Sequence, residues 1–227
     1  MITREQFAKM QDHSILEPYA TLADIDARIQ ETLDYGFGAT YVEPCYVSYA
    51  CQKLAGRAQV GTVVGFPFGT NTTAVKVAEG LGCIEDGADC LDVVINYSRL
   101  KSGDPDYVEK ELKAFVAAMK GRRPDVIVKV IIETCYLTHD EKVKACEIVR
   151  DSGADFIKTS TGTGSAGSRI GDIRLMRRIC GDKVKIKAAA QITNIEDALA
   201  VIEEGAAAIG ENTAVKLLAD WDKQLWE

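Results

Sequence analysis

The chain has 227 residues, 47% of them apolar, and a formal net charge of −7. This length can bury a sizeable core, and the acidic balance without any Lys/Arg-rich run excludes nucleic acids and anionic membranes as the main partners, which leaves a small molecule. No segment resembles a secretory signal or reaches the ~18 apolar residues of a membrane span, so we expect a soluble cytoplasmic protein.

Cysteine and histidine usage argues against disulfides and metal. The seven cysteines form no C-x-x-C pair, and their odd number and irregular spacing do not indicate a disulfide framework or a zinc site. The two histidines, His13 and His139, are too few for a three-histidine metal site. We therefore expect chemistry that uses neither a metal nor a cofactor.

The predicted elements alternate between strand and helix along the chain. In chain order, eight apolar runs are typical of strands: DHSIL, GATYVEP, QVGTVVGFP, ADCLDVVIN, DVIVKVIIET, ADFIKTS, VKIKAAA and AAAIGEN. Before four of them a polar helical segment closes on Gly-Ala, as in DYGFGATYVEP, which indicates a left-handed glycine cap followed by a strand buried on both faces. Eight such units predict an α/β protein, a single-domain (β/α)8 TIM barrel over residues 1–227. An open doubly wound sheet remains the alternative, although no Gly-x-Gly-x-x-Gly follows an early strand.

Two lysines and one aspartate stand inside apolar strands, where a charge is costly without a partner. Lys158 lies in DFIKTST, Lys187 in VKIKAAA and Asp92 in CLDVVIN. Because reactive residues of parallel barrels lie at the carboxyl ends of the strands, we expect the three to meet there. Two ammonium groups lower one another's pKa, so one lysine becomes a neutral amine that can attack a carbonyl, while Asp92 moves protons. The structural alternative is that the lysines form ordinary salt bridges and that Asp92 pairs with Lys129 or Lys185.

Several consecutive blocks make the chain resemble the deoxyribose-phosphate aldolase family. The blocks are DHSILEP, TVVGFPFGTNTTAVK, GADCLDVVINYSRLKSGD, VKVIIETCYLT and GADFIKTSTG, and the similarity extends from residue 12 to about residue 218. The resemblance implies a class I aldolase on a (β/α)8 barrel that reversibly cleaves 2-deoxyribose 5-phosphate to glyceraldehyde 3-phosphate and acetaldehyde. It also implies that Lys158 is the Schiff-base lysine, that Lys187 lowers its pKa, and that Asp92 is the proton-relay carboxylate.

The resemblance further implies a homodimer or homotetramer. The C-terminal stretch DWDKQLWE, with two tryptophans, is either a docking helix or a cover for the edge of the barrel.

The chain departs from the family's pattern on the side where a phosphate would bind. The family's KASGGIR is KAAAQIT here, so Ala190 and Gln191 replace two glycines that let backbone amides approach a phosphate. The last strand ends in GENT rather than GTSS or GASS, which adds the negative charge of Glu211 on the side where a phosphate would bind. Glu17 stands where the family often has Lys or Asn, and Glu43 stands where it has Asn.

Two further departures lie near the site. Tyr41 replaces a frequent cysteine, and the loop after Lys158 reads TGTGSAG in place of TGFSTGG. The expected substrate-binding residues are Ser14, Glu17, Glu43, Thr159, Gly162, Gly167, Ala190, Gln191, Glu211, Asn212 and Thr213.

Alternative functions remain open. Three acidic residues would repel a phosphate dianion, and Arg169 is the one new cation nearby, so the same imine chemistry can serve an unphosphorylated sugar or hydroxy-aldehyde. A sugar-phosphate isomerase would instead use Glu133 as a base. A non-catalytic sugar-binding barrel is the third reading, but a binder has no need of a lysine with a lowered pKa.

Overall fold

The computed structural model describes residues 2–224, and its sheet is a closed barrel of eight parallel strands. The strands are β1 (Gln11–Ile15), β2 (Ala39–Val42), β3 (Gln59–Val64), β4 (Cys90–Val94), β5 (Ile127–Ile131), β6 (Phe156–Lys158), β7 (Lys185–Ala189) and β8 (Ala206–Glu211). All eight predicted strands are present. Strand β1 pairs with β8, which closes the sheet, so the barrel prediction is confirmed and the doubly wound alternative is wrong.

Helices connect the strands and cover the outside of the barrel. They are α1 (Arg4–Lys9), α2 (Leu22–Tyr35), α3 (Val47–Leu54), α4 (Thr73–Glu85), α5 (Tyr97–Lys101), α6 (Pro105–Arg122), α7 (His139–Arg150), α8 (Ile170–Cys180), α9 (Ile195–Glu203) and α10 (Ala214–Gln224). Parallel strands need such crossovers because each strand must start again at the same end of the sheet. Within residues 2–224 no helix has the length and apolar character needed to cross a membrane.

Threonines begin three of the helices. The hydroxyl of Thr3, Thr21 or Thr138 accepts a hydrogen bond from the amide of the third helical residue, and the side chain of that residue bonds back to the threonine amide. This capping box satisfies two amides that the first turn of a helix leaves without partners. It therefore fixes the residue at which α1, α2 and α7 begin.

Glycines end the helices at the Gly-Ala joints. Gly87, Gly153 and Gly205 have φ angles of 105°, 87° and 107°, a region that favours glycine, so three of the four joints form as predicted. In the first joint the left-handed cap is Gly36, two residues earlier than the Gly-Ala pair. Gly38 is needed there for space, because a Cβ on it would lie 2.3 Å from the carbonyl oxygen of Lys9.

The strand register places the charged strand residues side by side. Lys158 on β6 pairs with Lys187 on β7, and Asp92 on β4 pairs with Lys129 on β5. Paired residues of parallel strands direct their side chains to the same face, and these four are buried within the barrel. The apolar core lies mainly between the strands and the surrounding helices.

The C-terminal helix covers the chain's first helix. The rings of Phe7 and Trp221 stack with their centroids 4.9 Å apart, and Arg4 forms a salt bridge with Asp222. Within DWDKQLWE, Trp221 therefore packs against the chain's own core. The second tryptophan of that stretch, at position 226, lies outside the described residues.

Candidate active site

Asp92 joins the two lysines that sequence analysis singled out. Its Oδ2 atom accepts hydrogen bonds from Lys158 Nζ at 2.7 Å and from Lys187 Nζ at 2.8 Å. The exposed fractions are 0% for Asp92, 1% for Lys187 and 4% for Lys158. The structure thus brings the predicted trio together on β4, β6 and β7.

A second carboxylate and a third lysine extend this cluster. Lys187 Nζ also lies 2.6 Å from Asp12 Oδ2 on β1, and Lys129 Nζ contacts the same oxygen at 2.5 Å. Lys187 therefore bridges two aspartates. Sequence analysis missed this pair as members of the site. Lys129 is a charge inside an apolar strand, the same signal that identified Asp92, whereas Asp12 stands in the mostly polar strand QDHSI.

The structural alternative for Asp92 is wrong in its choice of partners. Lys129 neighbours Asp92 in the register, but its ammonium bonds Asp12 instead. Lys185 begins β7 and is exposed, with its ammonium 5.7 Å from the centre of the Phe156 ring. The partners of Asp92 are the two lysines nearer the carboxyl ends of the strands.

Burial is the main cause of the lowered pKa of Lys158. Burial lowers the pKa of Lys158, Asp92 opposes this effect, and the charge of Lys187 adds to it, so that the pKa falls to about 8. The neighbouring ammonium is therefore a secondary cause rather than the principal one expected from sequence. Burial alone would raise the pKa of Asp92, but the charges of Lys158, Lys187 and Lys129 hold it well below its usual range.

The net charge of the cluster favours the loss of one proton. Three ammonium groups and two carboxylates would leave one uncompensated positive charge in a region shielded from water. Asp12 and Asp92 overcome the effect of burial on Lys129 and raise its pKa. Lys158, with its pKa lowered to about 8, is the member of the cluster that is readily available as a neutral amine.

Tyr41 supports the same cluster from β2. Its hydroxyl donates to Asp92 Oδ1 at 2.9 Å, and Lys187 Nζ lies 3.8 Å from the centre of its ring. Burial raises the pKa of Tyr41 well above its usual value, so the phenol stays protonated and remains a donor. The ring occupies the space beside Gly61, where a Cβ would lie 2.3 Å from Tyr41 Cζ.

A cavity of about 330 Å³ lies at the carboxyl ends of the strands. Such an end is where the loops of a parallel barrel form binding sites. The side chains of the charged cluster are not among its lining residues, but Gly210, which lines it, packs against Lys187, because a Cβ on Gly210 would lie 2.6 Å from Lys187 Cε. Of the expected substrate-binding residues the cavity is lined by Ser14, Glu17, Gly162, Ala190, Gln191, Glu211 and Asn212. Sequence analysis did not select its other lining residues, among them Phe66 from the loop after β3 and Thr161 from the loop after β6.

Four expected binding residues do not line this cavity. The Thr159 hydroxyl bonds both the carbonyl and the amide of Ala189, which ties the end of β6 to the end of β7. Thr213 donates to the carbonyl of Ile192 at 3.3 Å. Gly167 packs against the backbone after β7, and Glu43 is half-buried at the end of β2, where burial and nearby acidic residues raise its pKa. The first three support the backbone around the cavity.

The turn after β7 keeps a conformation that favours glycine. Ala190 and Gln191 have φ angles of 71° and 65°, which cost of order 1–3 kcal/mol each for residues with a Cβ. Gly167 approaches so closely that a Cβ on it would lie 2.1 Å from the Ala190 carbonyl oxygen. The amide after this turn, that of Ile192, donates to Glu211 Oε1 at 3.0 Å.

Glu133 holds the loop that follows β6. Its carboxylate accepts hydrogen bonds from both the amide and the hydroxyl of Thr161, and its own backbone is left-handed with φ 52°. Gly164 lies against it, since a Cβ there would be 3.2 Å from Glu133 Oε1. The candidate base of an isomerase is thus engaged in positioning a loop that lines the cavity.

Arg169 does not approach the cavity. It lines a separate cavity of about 200 Å³ together with Lys142 and Asp172, on the other side of the loop after β6. Lys142 itself forms a salt bridge with Asp172 at 2.6 Å. The new cation noted in the sequence therefore does not compensate the acidic residues of the site.

Comparison with known proteins assigns the family. A sequence model of the DeoC/LacD family aldolases matches residues 5–223. Two curated relatives named deoxyribose-phosphate aldolase, from Caldanaerobacter subterraneus subsp. tengcongensis and Thermococcus gammatolerans, are 46% and 47% identical to this chain. The alignments cover 96% and 93% of this chain and 94% of each relative. A solved tetrameric deoxyribose phosphate aldolase from Aeropyrum pernix superposes with a TM-score of 0.88 at 30% identity, over 98% of this chain and 93% of that one. The chain belongs to the DeoC/LacD family of aldolases.

Proposed function

We propose that this protein is a class I aldolase that reversibly cleaves the C2–C3 bond of a 2-deoxyribose-type sugar through an imine on Lys158. The observation that carries the proposal is the position of Lys158, buried with a pKa lowered to about 8 and bonded to Asp92 beside the cavity. Its relatives' name, deoxyribose-phosphate aldolase, supports the same reaction. The products are acetaldehyde and a shorter hydroxy-aldehyde, which is glyceraldehyde 3-phosphate when the sugar carries a 5-phosphate.

The reaction begins at the neutral amine of Lys158. The amine adds to C1 of the open-chain sugar, and protonation and loss of water leave a protonated imine. A base removes the proton of the C3 hydroxyl, the C2–C3 bond breaks, and its electron pair moves through C2 to the imine nitrogen. This yields the shorter aldehyde and an enamine. Protonation of the enamine at C2 and hydrolysis of the resulting imine release acetaldehyde, one proton and the free lysine.

Asp92 gains basicity at the step that needs a base. The charge of Lys158 is the largest of the effects that hold its pKa down. When the imine nitrogen receives the electron pair and becomes a neutral enamine, this charge disappears. The carboxylate can then hold the proton released by the C3 hydroxyl and return it to C2. Lys187 keeps its contacts to Asp92 and Asp12 throughout and supplies a fixed positive charge.

Reductive trapping tests the proposal. Borohydride added with acetaldehyde or with 2-deoxyribose should give a reduced adduct that peptide mapping places on Lys158. The variant Lys158→Met should lose both the adduct and the activity. Lys185→Met is the matched control, because Lys185 is exposed at the other end of β7 and should leave both intact. Activity that survives in Lys158→Met, as expected of an isomerase with Glu133 as its base, would refute the imine mechanism.

We further propose that the enzyme is a homo-oligomer that works in the cytoplasm. The Aeropyrum pernix aldolase is described as a tetramer, which supports self-association here. All seven cysteines are free thiols, which suits a reducing compartment. Light scattering on the purified protein tests the first proposal, since a monomeric mass at micromolar concentration would contradict it.

A further inference from the structure

The turn after β7 presents backbone amides to the cavity. Two successive residues with positive φ, Ala190 and Gln191, bend the chain sharply. Successive amides in such a turn form a concave surface that favours an anion. Ala190 and Gln191 both line the cavity, so this surface forms part of its wall.

A carboxylate of the protein already occupies this position. Glu211, the last residue of β8, accepts a hydrogen bond from the Ile192 amide at 3.0 Å, and only 8% of it is exposed. Burial raises the pKa of Glu211 to about 7 in spite of the opposing effects of the Ile192 and Ala190 amides and of the charge of Lys158. The amides that would hold an external anion are thus bonded to an internal one.

The rest of the cavity wall adds negative rather than positive charge. Glu17 lines it and accepts a hydrogen bond from Asn212 Nδ2 at 3.2 Å. Within the part of the chain that the structure describes, the lining includes no lysine and no arginine, and Arg169 faces the separate cavity beside Asp172. A phosphate dianion in this cavity would face two carboxylates, and no cationic side chain among the lining residues would compensate them.

The hydrogen-bonding character of the wall leads to the same conclusion. A dianionic phosphate ester offers only acceptors, as does a carboxylate, whereas a sugar hydroxyl can donate to a carboxylate oxygen. We propose that Glu211 determines specificity by excluding a phosphate and accepting a hydrogen bond from a substrate hydroxyl, so that the enzyme acts on unphosphorylated 2-deoxy sugars or hydroxy-aldehydes. This inference rests on the aldolase function proposed above.

Comparison of two substrates on the unmodified enzyme is the first test. The kcat/KM for 2-deoxyribose should equal or exceed that for 2-deoxyribose 5-phosphate. A preference for the phosphate ester of about a hundredfold or more, nearly 3 kcal/mol in transition-state binding, would overturn the inference. Acetaldehyde is too short to carry a phosphate or a distal hydroxyl, so its reductive adduct on Lys158 tests imine formation independently of Glu211. If acetaldehyde gives no adduct, the aldolase function itself is refuted. If it gives the adduct and the enzyme prefers the phosphate ester, only the role of Glu211 is refuted.

An isosteric variant provides the second test. Glu211→Gln removes the charge but keeps the size of the side chain, and it should raise kcat/KM for the 5-phosphate relative to 2-deoxyribose by about tenfold or more. Inhibition by inorganic sulfate should strengthen by a similar factor. The charge-matched control is Glu203→Gln on α9, because the exposed side chain of Glu203 lies outside the cavity. In this variant the ratio of the two kcat/KM values and the inhibition by sulfate should stay unchanged. Equal ratios in Glu211→Gln and the unmodified enzyme would contradict the proposal.

Discussion

Replacing Lys187 by methionine should make Lys158 a poorer nucleophile. Both ammonium nitrogens contact Asp92 Oδ2, at 2.7 and 2.8 Å, so they lie at most about 5.5 Å apart. At an effective dielectric constant of about 20, two unit charges at this distance repel by about 3 kcal/mol. Loss of that repulsion should raise the pKa of Lys158 from about 8 to about 10. At pH 7 the neutral fraction then falls from about a tenth to about a thousandth, and imine formation should slow about a hundredfold.

The pH dependence of imine formation measures this shift directly. In the unmodified enzyme, the rate at which acetaldehyde and borohydride give the reduced adduct on Lys158 should rise as the pH increases through about 8, because the neutral amine is the reactive form. In Lys187→Met the rise should move to about pH 10. Asp12 keeps its contact with Lys129, and Asp92 keeps its contact with Lys158, so the fold should survive. A midpoint that stays near 8 in the variant would refute the reasoning and leave burial as the whole cause.

Three other predictions concern neighbouring features. Tyr41→Phe keeps the ring under Lys187 but removes the donor to Asp92, and urea titration should show a loss of about 1–3 kcal/mol in unfolding free energy. An unchanged midpoint would contradict this. Lys76→Met should cost about 3–5 kcal/mol by the same measurement, because it leaves Glu111 buried without its partner at 2.8 Å, and a smaller loss is expected when both residues are made apolar. Sulfate inhibition should strengthen as the pH falls through about 7, because protonation removes the negative charge of Glu211. Glu211→Gln should abolish this pH dependence. A pH dependence that persists in the variant would show that another group causes it.

The barrel could be predicted because its signals are local. A glycine in the left-handed conformation after a helix, followed by a buried apolar run, marks each joint without reference to the rest of the chain, as at Gly153 and Gly205. Lys158, Lys187 and Asp92 could be selected for a similar reason, since each is a charge in a run that must be buried. Local signals therefore gave both the architecture and the three residues that meet beside the cavity.

The pairing within the site could not be predicted because it depends on the closed sheet. Asp12 belongs to the first strand and Lys129 to the fifth, and only the arrangement of side chains inside the barrel brings them to 2.5 Å. The relative size of two effects on one pKa also depends on three-dimensional burial, which is why sequence analysis named Lys187 rather than burial as the main cause of the lowered pKa of Lys158.

Side-chain direction beyond the strand ends was equally hidden from sequence analysis. Thr159 directly follows a strand that carries a central site residue, yet its hydroxyl bonds the backbone of the next strand rather than facing the cavity. Glu43 likewise lies at a strand end but does not line the cavity. Once a chain leaves the sheet, its alternation of faces no longer predicts where a side chain points.

The five buried charges of the barrel interior set a limit on how stable this protein can become. Three lysines and two aspartates each had to lose their hydration to enter the barrel, and replacing a whole buried ion pair by apolar residues of similar volume is often neutral or stabilising by about 1–4 kcal/mol. Selection or engineering for heat resistance alone would therefore favour replacing them. A thermostable descendant of this enzyme must gain its stability elsewhere, in helix caps, loops or subunit contacts, because the interior that weakens the fold is the part that performs the reaction.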